Sequence, residues 1–501
     1  MQLVSTPDCH SGGRGFEPRR LRQRFLGAAF WLAGSDFLLT FFGMGVMLIL
    51  ARLLQPEDYG TVAMATVFIG LVNQTNAVGL GHALVRMEKV TPESEQLTFT
   101  YAVISSLVLY GIVYLLAPLA GAFYHEPRVV PLLRVMGFSV VIRAFYIVPH
   151  SLLRREFDMR RQSKVQILGT LADSVSTVAL AVFGFGVWAL ALGPLMSHVV
   201  QVAGMSIARP WNIGVRFRGE ESGTLIRFAG GVNVSILLWY WYVSADNLII
   251  GRMLGGTALG IFTMAMNLSK LSWNKLWLAV NPLLLPLFSE ARMTPGKMGR
   301  VFLRVTHWVA LVIFPASFGL MIAAPDAVTV LLPPKWADTV VPLQWLCLLG
   351  GSRALAALMS PLLLAVGKVR LEVLFSLACG VFLPAAFLLV LPLGVAAVAA
   401  AWAIVFPAVA AAFLLRPVLK ALDVSVWEYL RVLRTPVAAS LVMALLVLGI
   451  SRLLDLPAPW SLGFKVVFGA LCYFGLTTWW EGNPYHELRR LLADTRAGVR
   501  A

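Results

Sequence analysis

Apolar runs of about 18 residues or more, separated by short polar turns, recur along the chain from Phe25 to Trp480. Each run is long enough to cross roughly 30 Å of hydrocarbon as a helix. Lipid offers no partners to open backbone groups, so helices are the expected solution. The runs lie near 25–50, 60–82, 97–123, 131–150, 165–184, 187–208, 225–251, 258–288, 301–324, 338–366, 370–391, 394–416, 433–454 and 461–480. Gly184-Phe185-Gly186 and Leu391-Pro392-Leu393-Gly394 are turns short enough for helical hairpins. The expected fold class is all-α, a polytopic integral membrane protein of about fourteen transmembrane helices.

Composition agrees: 58% of the 501 residues are hydrophobic and 13% charged, where soluble domains run near 45–50% and about 25%. The net charge of +16 suggests nucleic acid only if the basic residues share one face of a soluble domain. Instead they fall in alternate loops: Arg154-Arg155 with Arg160-Arg161-Lys164, Arg209 with Arg216 and Arg218, Arg292 with Lys297 and Arg300, and Arg416 with Lys420 and Arg431. That is the positive-inside pattern, which places both termini in the cytoplasm and requires an even number of spans. No nucleic-acid partner is expected. The loops are too short for a folded extramembrane domain, so function must lie among the helices. Residues 1–24 hold Arg14, Arg19, Arg20, Arg22 and Arg24 but no cleavable apolar core; they read as a basic, disordered cytoplasmic segment or an over-extended start. Cys9, Cys347, Cys379 and Cys472 form no CxxC pair, and the last three read as small core residues rather than metal or redox groups.

Shifted by 200 positions, Ile49–Ala65 (ILARLLQPEDYGTVAMA) matches Ile249–Ala265 (IIGRMLGGTALGIFTMA), keeping Arg52/Arg252 and Gly60/Gly260 in register. Six spans separate the copies, an even number, so the halves are expected as parallel repeats about an axis along the membrane normal. The expected organisation is a basic N-terminus (1–24), a six-helix lobe (25–208), a cytoplasmic linker (209–224), a second six-helix lobe (225–418), a linker (419–432), two added helices (433–480) and a cytoplasmic tail (481–501). Two bundles imply a cleft between them.

Ala51-Arg52-Leu53-Leu54-Gln55-Pro56-Glu57-Asp58-Tyr59-Gly60 after the first helix, Gly79-Leu80-Gly81 with Leu84-Val85 after the second, Leu153-Arg154-Arg155-Glu156-Phe157-Asp158 after the fourth and Asp246-Asn247-Leu248-Ile249-Ile250-Gly251-Arg252 closing the seventh carry a resemblance. The chain resembles the polysaccharide-transporter, or oligosaccharide-flippase (Wzx-like), branch of the multidrug, oligosaccharidyl-lipid and polysaccharide exporter superfamily, from about Arg24 to Trp480. The resemblance implies a fourteen-helix, two-lobed transporter of the bacterial inner membrane. Its substrate would be an undecaprenyl-pyrophosphate-linked oligosaccharide, turned from the cytoplasmic to the outer face for exopolysaccharide, capsule or O-antigen synthesis. Partners implied are membrane lipids, a polysaccharide polymerase and a chain-length regulator. The glycan itself is not named by it.

A charged side chain at a helix centre costs roughly 2.5–3.5 kcal/mol on insertion, so those present should face a protein interior or a wet cavity. Asp36, Arg143, Asp173, Asp246, Lys270, Lys275 and Arg353 are the candidates, with His198 and His307 behind them. On the eighth run Asn267, Lys270, Asn274 and Asn281 fall on one stripe about 60° wide at 100° per residue, with Lys275 about 140° from Lys270. Thr66, Asn73 and Asn76 make a similar face on the second run, and Asn233, Tyr240, Ser244 and Asn247 on the seventh. Interhelical hydrogen bonding is the plainer explanation of such faces. A cleft for a sugar pyrophosphate must be polar and cationic, which singles out Lys270, Arg353 and Arg143 for phosphate and Asn267, Asn274 and Asn73 for sugar. Asp36, Asp173 and Asp246 either balance these cations or bind a coupling H⁺ or Na⁺.

No phosphate loop GxxxxGK[ST], HExxH or GxSxG occurs in the sequence, and the histidines lack metal-ligand spacing, so no catalytic residue, metal or organic cofactor is expected. Rival readings are a multidrug exporter and a peptidoglycan-precursor flippase of the same superfamily. A membrane-embedded glycan polymerase or ligase is the rival of another class, and the short outward loops speak against it.

Overall fold

The apolar runs fold as helices, and their order follows the hydrophobic pattern. The computed structural model describes residues 39, 42–77, 81, 84, 85, 87, 90–156, 158–217, 234–273, 280, 281, 284, 287–293 and 296–481. Along them run α1 (Phe42–Leu53), α2 (Pro56–Ala77), α3 (Pro92–Tyr124), α4 (Val129–Arg155), α5 (Met159–Val182), α6 (Val187–Ala208), α7 (Val234–Met253) and α8 (Gly255–Ser269). Then come α9 (Lys297–Leu331), α10 (Val340–Ala357, opened by a 3-10 turn Pro334–Thr339 and continued by Met359–Val366), α11 (Val369–Val390), α12 (Val395–Ala410), α13 (Val426–Leu454) and α14 (Ala458–Glu481). Ten of the described helices are long and apolar enough to cross a membrane. The other four, α1, α2, α7 and α8, are shorter or more polar. The protein is an all-helical, multi-pass membrane protein.

Local chemistry sets the boundaries. Thr91 caps α3 in a reciprocal box with Ser94, Pro92 following where its missing N–H costs nothing. Ser425 and Glu428 do the same for α13, and Asp158 caps α5 through the Arg161 amide. Outward faces are apolar: Leu115, Leu119, Phe183, Leu389 and Leu453 are each well over half exposed, as lipid-facing residues should be.

In sequence order, α3 packs on α4, α5 on α6, α7 on α11, and α10 on α12. The two halves meet most closely where α2 crosses α8, the very helices matched by the internal repeat. A Cβ on Gly60 would strike the carbonyl of Gly256, and one on Gly260 the carbonyl of Pro56. Small residues let these backbones touch, which explains why the glycines recur at the 200-residue shift. Helices α13 and α14 lie against α9: Tyr473 donates to the Leu311 carbonyl at 2.9 Å, and Asp326 takes Lys465 at 2.7 Å and Ser461 at 2.6 Å.

One expected run is corrected. The stretch 258–288 is not a straight helix, because α8 ends at Ser269 and passes through a 3-10 turn, Lys270–Ser272, into a turn at Trp273. Ser269 and Ser272 hydroxyls bond back to the carbonyls of Met266 and Ser269, both at 2.8 Å, competing with the regular ladder. Gly350 of α10 opens the space that Ser272 and Trp273 fill. Asn274 and Lys275 lie outside the described residues, as do Asp36, Asn233 and Cys9.

Candidate functional site

The polar residues that make α2 and α7 poor lipid spans converge with α8 and α10 on one interior cavity of about 230 Å³. Thr66 and Val67 come from α2, and Tyr240, Ser244, Asp246 and Asn247 from α7. Thr263 and Asn267 come from α8, Lys270 from the 3-10 turn and Arg353 from α10. Both halves of the chain thus contribute.

Arg353 has no carboxylate at ion-pair distance among the described residues. Its guanidinium instead stacks 4.5 Å above the ring of Trp402, with Trp273 at 5.9 Å and Phe406 at 5.8 Å. This is a cation–π setting that stabilises the charge while leaving its N–H groups for other acceptors. Trp402 is fully buried, and its indole N–H donates to Asp246 Oδ2 at 2.9 Å. The Asn247 amide donates to the other oxygen, Oδ1, at 2.7 Å. Both oxygens of this buried carboxylate are thereby held. Among the described residues Lys270 Nζ donates to Asn267 Oδ1, at a long 3.4 Å. The site holds, among the described residues, two cations whose donors are not consumed by direct ion pairs, one braced carboxylate, and the amides and hydroxyls of Asn247, Asn267, Ser244 and Thr263. Such a lining suits a polar anion.

Contacts at the α1–α2 turn and across the α2–α7 seam flank the cavity. At the end where α1 turns into α2, Trp336 donates to the Ala51 carbonyl at 2.9 Å, and Lys335 Nζ donates to the carbonyls of Leu54 at 2.7 Å and Arg52 at 3.1 Å. These are the unsatisfied carbonyls of the α1 C-terminus, where a cation is favoured. Beside them Arg128 bonds Glu57 and Glu126, and Arg252 donates to His125. The hydrogen bond from Arg128 holds the Glu126 carboxyl below the usual carboxylate range. Deeper in, the Tyr240 hydroxyl donates to the Val67 carbonyl at 2.6 Å across the α2–α7 seam, in space that exists because residue 70 is glycine.

Of the residues singled out from sequence, Lys270, Arg353, Asn267 and Asp246 meet in this cavity. Arg143 and Asn73 are elsewhere: Asn73 is half-buried on α2 away from the lining, and Arg143 on α4 is close enough to His198 of α6 for their charges to interact. Asp173 sits in the α5–α6 seam beside Gly193 and accepts the Thr177 hydroxyl at 3.1 Å. His307 lies 3.1 Å from the Val432 carbonyl. Sequence reasoning missed Trp402, which joins Asp246 to Arg353. Its one signal was a lone aromatic in the alanine-rich run Val395–Val405. Cys347 and Cys379 are buried, free thiols, and no cluster of three or more metal-ligating side chains occurs among the described residues.

Residues 49–341 match the family described as polysaccharide biosynthesis protein. The lipopolysaccharide biosynthesis protein WzxC of Escherichia coli (strain K12) is 23% identical over 370 residues, 71% of this chain and 73% of that protein. The succinoglycan biosynthesis transport protein ExoT of Rhizobium meliloti (strain 1021) is 26% identical over 324 residues, 64% and 65% of the two chains. Among solved structures, the lipid II flippase MurJ in an inward closed conformation superposes with a TM-score of 0.73 at 14% identity, covering 90% of this chain and 98% of that one. A multidrug resistance MATE family transporter, inward-facing, gives 0.62 at 17% identity, covering 77% and 95%. The matched residues make up more than half of the sequence and the fold is the one shared with those solved structures: the chain belongs to the polysaccharide biosynthesis protein family.

Proposed function

We propose that the protein turns undecaprenyl-pyrophosphate-linked oligosaccharides across the bacterial inner membrane, from the cytoplasmic to the outer face, for surface polysaccharide synthesis. The observation that carries this reading is the meeting of Lys270 with Arg353 in one interior cavity, where among the described residues neither forms a direct ion pair and Asp246 is the one carboxylate of the lining. A pyrophosphate bonded by charged donors gains about 1.5–3 kcal/mol per hydrogen bond. Asn247, Asn267 and the hydroxyls suit the first sugar, while the polyprenyl tail stays in lipid. An exporter of organic cations would want the opposite charge balance. At about 230 Å³ the cavity is smaller than the 300–1,000 Å³ of drug-sized sites, so taking in a sugar pyrophosphate calls for the halves to move apart. The protein is read as a carrier, not an enzyme, working beside a polymerase and a chain-length regulator.

In the same reading the lobes are 25–208 and 225–418 with 433–480 appended, and both termini are cytoplasmic. The Lys335–Trp336 contacts then lie on the outer side, and Arg143 and Asn73 serve the cytoplasmic approach. Asp36 and Asp173 are the remaining candidates for a coupling H⁺ or Na⁺. The test is glycan export in cells at matched protein level. Lys270→Glu should abolish surface polysaccharide and leave lipid-linked units on the cytoplasmic face, with Lys270→Arg partly active; normal export by Lys270→Glu overturns the assignment.

A further inference from the structure

The cavity poses an electrostatic problem that the loaded carrier does not have. With a pyrophosphate in place, Lys270 and Arg353 are neutralised by the cargo. Once the cargo leaves, two like charges remain in a site screened from bulk water, and uncompensated buried charge is strongly unfavourable. A carrier must nevertheless pass empty through its closed form to return. The same cavity holds a buried carboxylate that can stand in for the cargo.

Asp246 is buried on α7 in the same cavity. It is near enough for its charge to act on both Arg353 and Lys270, yet it pairs directly with neither among the described residues. Trp402 explains the separation. Its N–H edge fixes Asp246 Oδ2 at 2.9 Å, while its ring face supports the Arg353 guanidinium at 4.5 Å. The Asn247 amide pins the other oxygen at 2.7 Å. One indole therefore keeps anion and cation close and apart at once. A direct, two-pronged Asp–Arg bridge would consume the donors that cargo needs; no carboxylate at all would leave the empty cavity with two bare cations.

We infer that Asp246, held by Trp402, is a built-in counter-charge that substitutes for the cargo phosphate in the empty carrier and so sets the rate of its return rather than the transfer of cargo. It rests on the transport reading above and assigns Asp246 a positioning role different from coupling an ion. Removing the charge should strengthen cargo binding, since a competing anion is gone, and slow only the steps in which the carrier moves empty. Removing the Trp402 brace should do the reverse to binding, because Asp246 is then free to close on Arg353.

The full-length protein in liposomes is given undecaprenyl pyrophosphate bearing one fluorescent sugar. Three quantities are read: binding, net movement from one leaflet to the other, and exchange of labelled for unlabelled probe. Asp246→Asn should bind several-fold tighter, lose about tenfold or more of net movement, the scale of one uncompensated buried charge, and keep exchange within about twofold of the parent. Asp246→Glu should restore net movement. Trp402→Phe should bind more weakly than the parent, a change of opposite sign that a folding defect common to both variants does not give. The double variant Asp246→Asn with Lys270→Gln, which returns the cavity to the parent's net charge, should recover a larger ratio of net movement to exchange than Asp246→Asn alone. The inference is overturned if Asp246→Asn leaves the ratio of net movement to exchange unchanged, or lowers both together with unaltered binding. If the parent itself neither binds nor moves the probe, the transport reading has failed, and the counter-charge falls with it.

Discussion

Gly70→Ala is the perturbation whose effect follows most directly from the packing. A methyl at residue 70 would overlap the Tyr240 hydroxyl and stand 2.7 Å from Cζ and 2.9 Å from Cε2 of the ring. Carbon atoms pack at about 3.5–4.0 Å, so α7 must retreat from α2 by about 1 Å or Tyr240 must leave its place. Overpacking of that kind costs about 1–3 kcal/mol. The 2.6 Å bond from Tyr240 to the Val67 carbonyl goes with it, a further loss of about 0.5–1.5 kcal/mol. The closed form should therefore lose about 2–4 kcal/mol relative to one in which α2 and α7 have parted, roughly a thirty- to several-hundredfold shift in population at 1.4 kcal/mol per tenfold. The readout is the reactivity of a cysteine placed at Asn267 in a cysteine-free protein toward a water-soluble maleimide. Gly70→Ala should raise that rate steeply, Tyr240→Phe by about two- to tenfold, and Tyr240→Ala in the Gly70→Ala background should separate steric clash from hydrogen bond by relieving the first alone. If Gly70→Ala leaves the labelling rate and the melting temperature at parent values, the α2–α7 contact does not close the cavity.

Three further expectations follow from other parts of the molecule. Cysteines at Gly296 and Pro333, at opposite ends of α9, should react from opposite sides of the membrane; labelling of both from outside contradicts the topology. Lys335→Ala removes the donor shared by the Arg52 and Leu54 carbonyls and, with hydrogen bonds to charged groups contributing about 1.5–3 kcal/mol, should raise labelling of a cysteine at Tyr59 at least severalfold. The Glu126 carboxyl is held below its ordinary value of 4.5 by Arg128, so its stabilisation is present above that value and lost as pH falls through the folded one. Because the pair is partly exposed, the contribution is small, about 0.2–1 kcal/mol. Glu126→Gln should lower the melting temperature slightly at pH 7 and match the parent under strongly acid conditions.

The helices were legible because lipid imposes one period and one length on every span. The repeat was legible because Gly60 and Gly260 face a backbone rather than a side chain, a demand that only glycine meets. Lys270 with Asn267 could be read from i, i+3 spacing, and Arg353 and Asp246 from depth in apolar runs. The break at Lys270–Trp273 could not, since it depends on serines bonding back to carbonyls and on room opened by Gly350 on another helix. Arg143 looked equivalent to Arg353 by depth alone, and only packing separates them. Trp402 was invisible because an aromatic in an apolar run reads as core until its N–H is seen to reach a carboxylate 156 positions away.

The central claim is that Lys270 and Arg353 receive the pyrophosphate of a lipid-linked glycan, and the most direct measurement is translocation itself. Purified protein is reconstituted into vesicles with an undecaprenyl-pyrophosphate-linked oligosaccharide. Its movement between leaflets is followed by access of a membrane-impermeant sugar oxidant. The parent should move the lipid, and Lys270→Ala and Arg353→Ala should each slow it about ten- to a hundredfold at limiting substrate, as expected for one lost charged hydrogen bond. Movement at parental rate by both variants, or equal movement of an undecaprenyl-linked glycan lacking the pyrophosphate, contradicts the account.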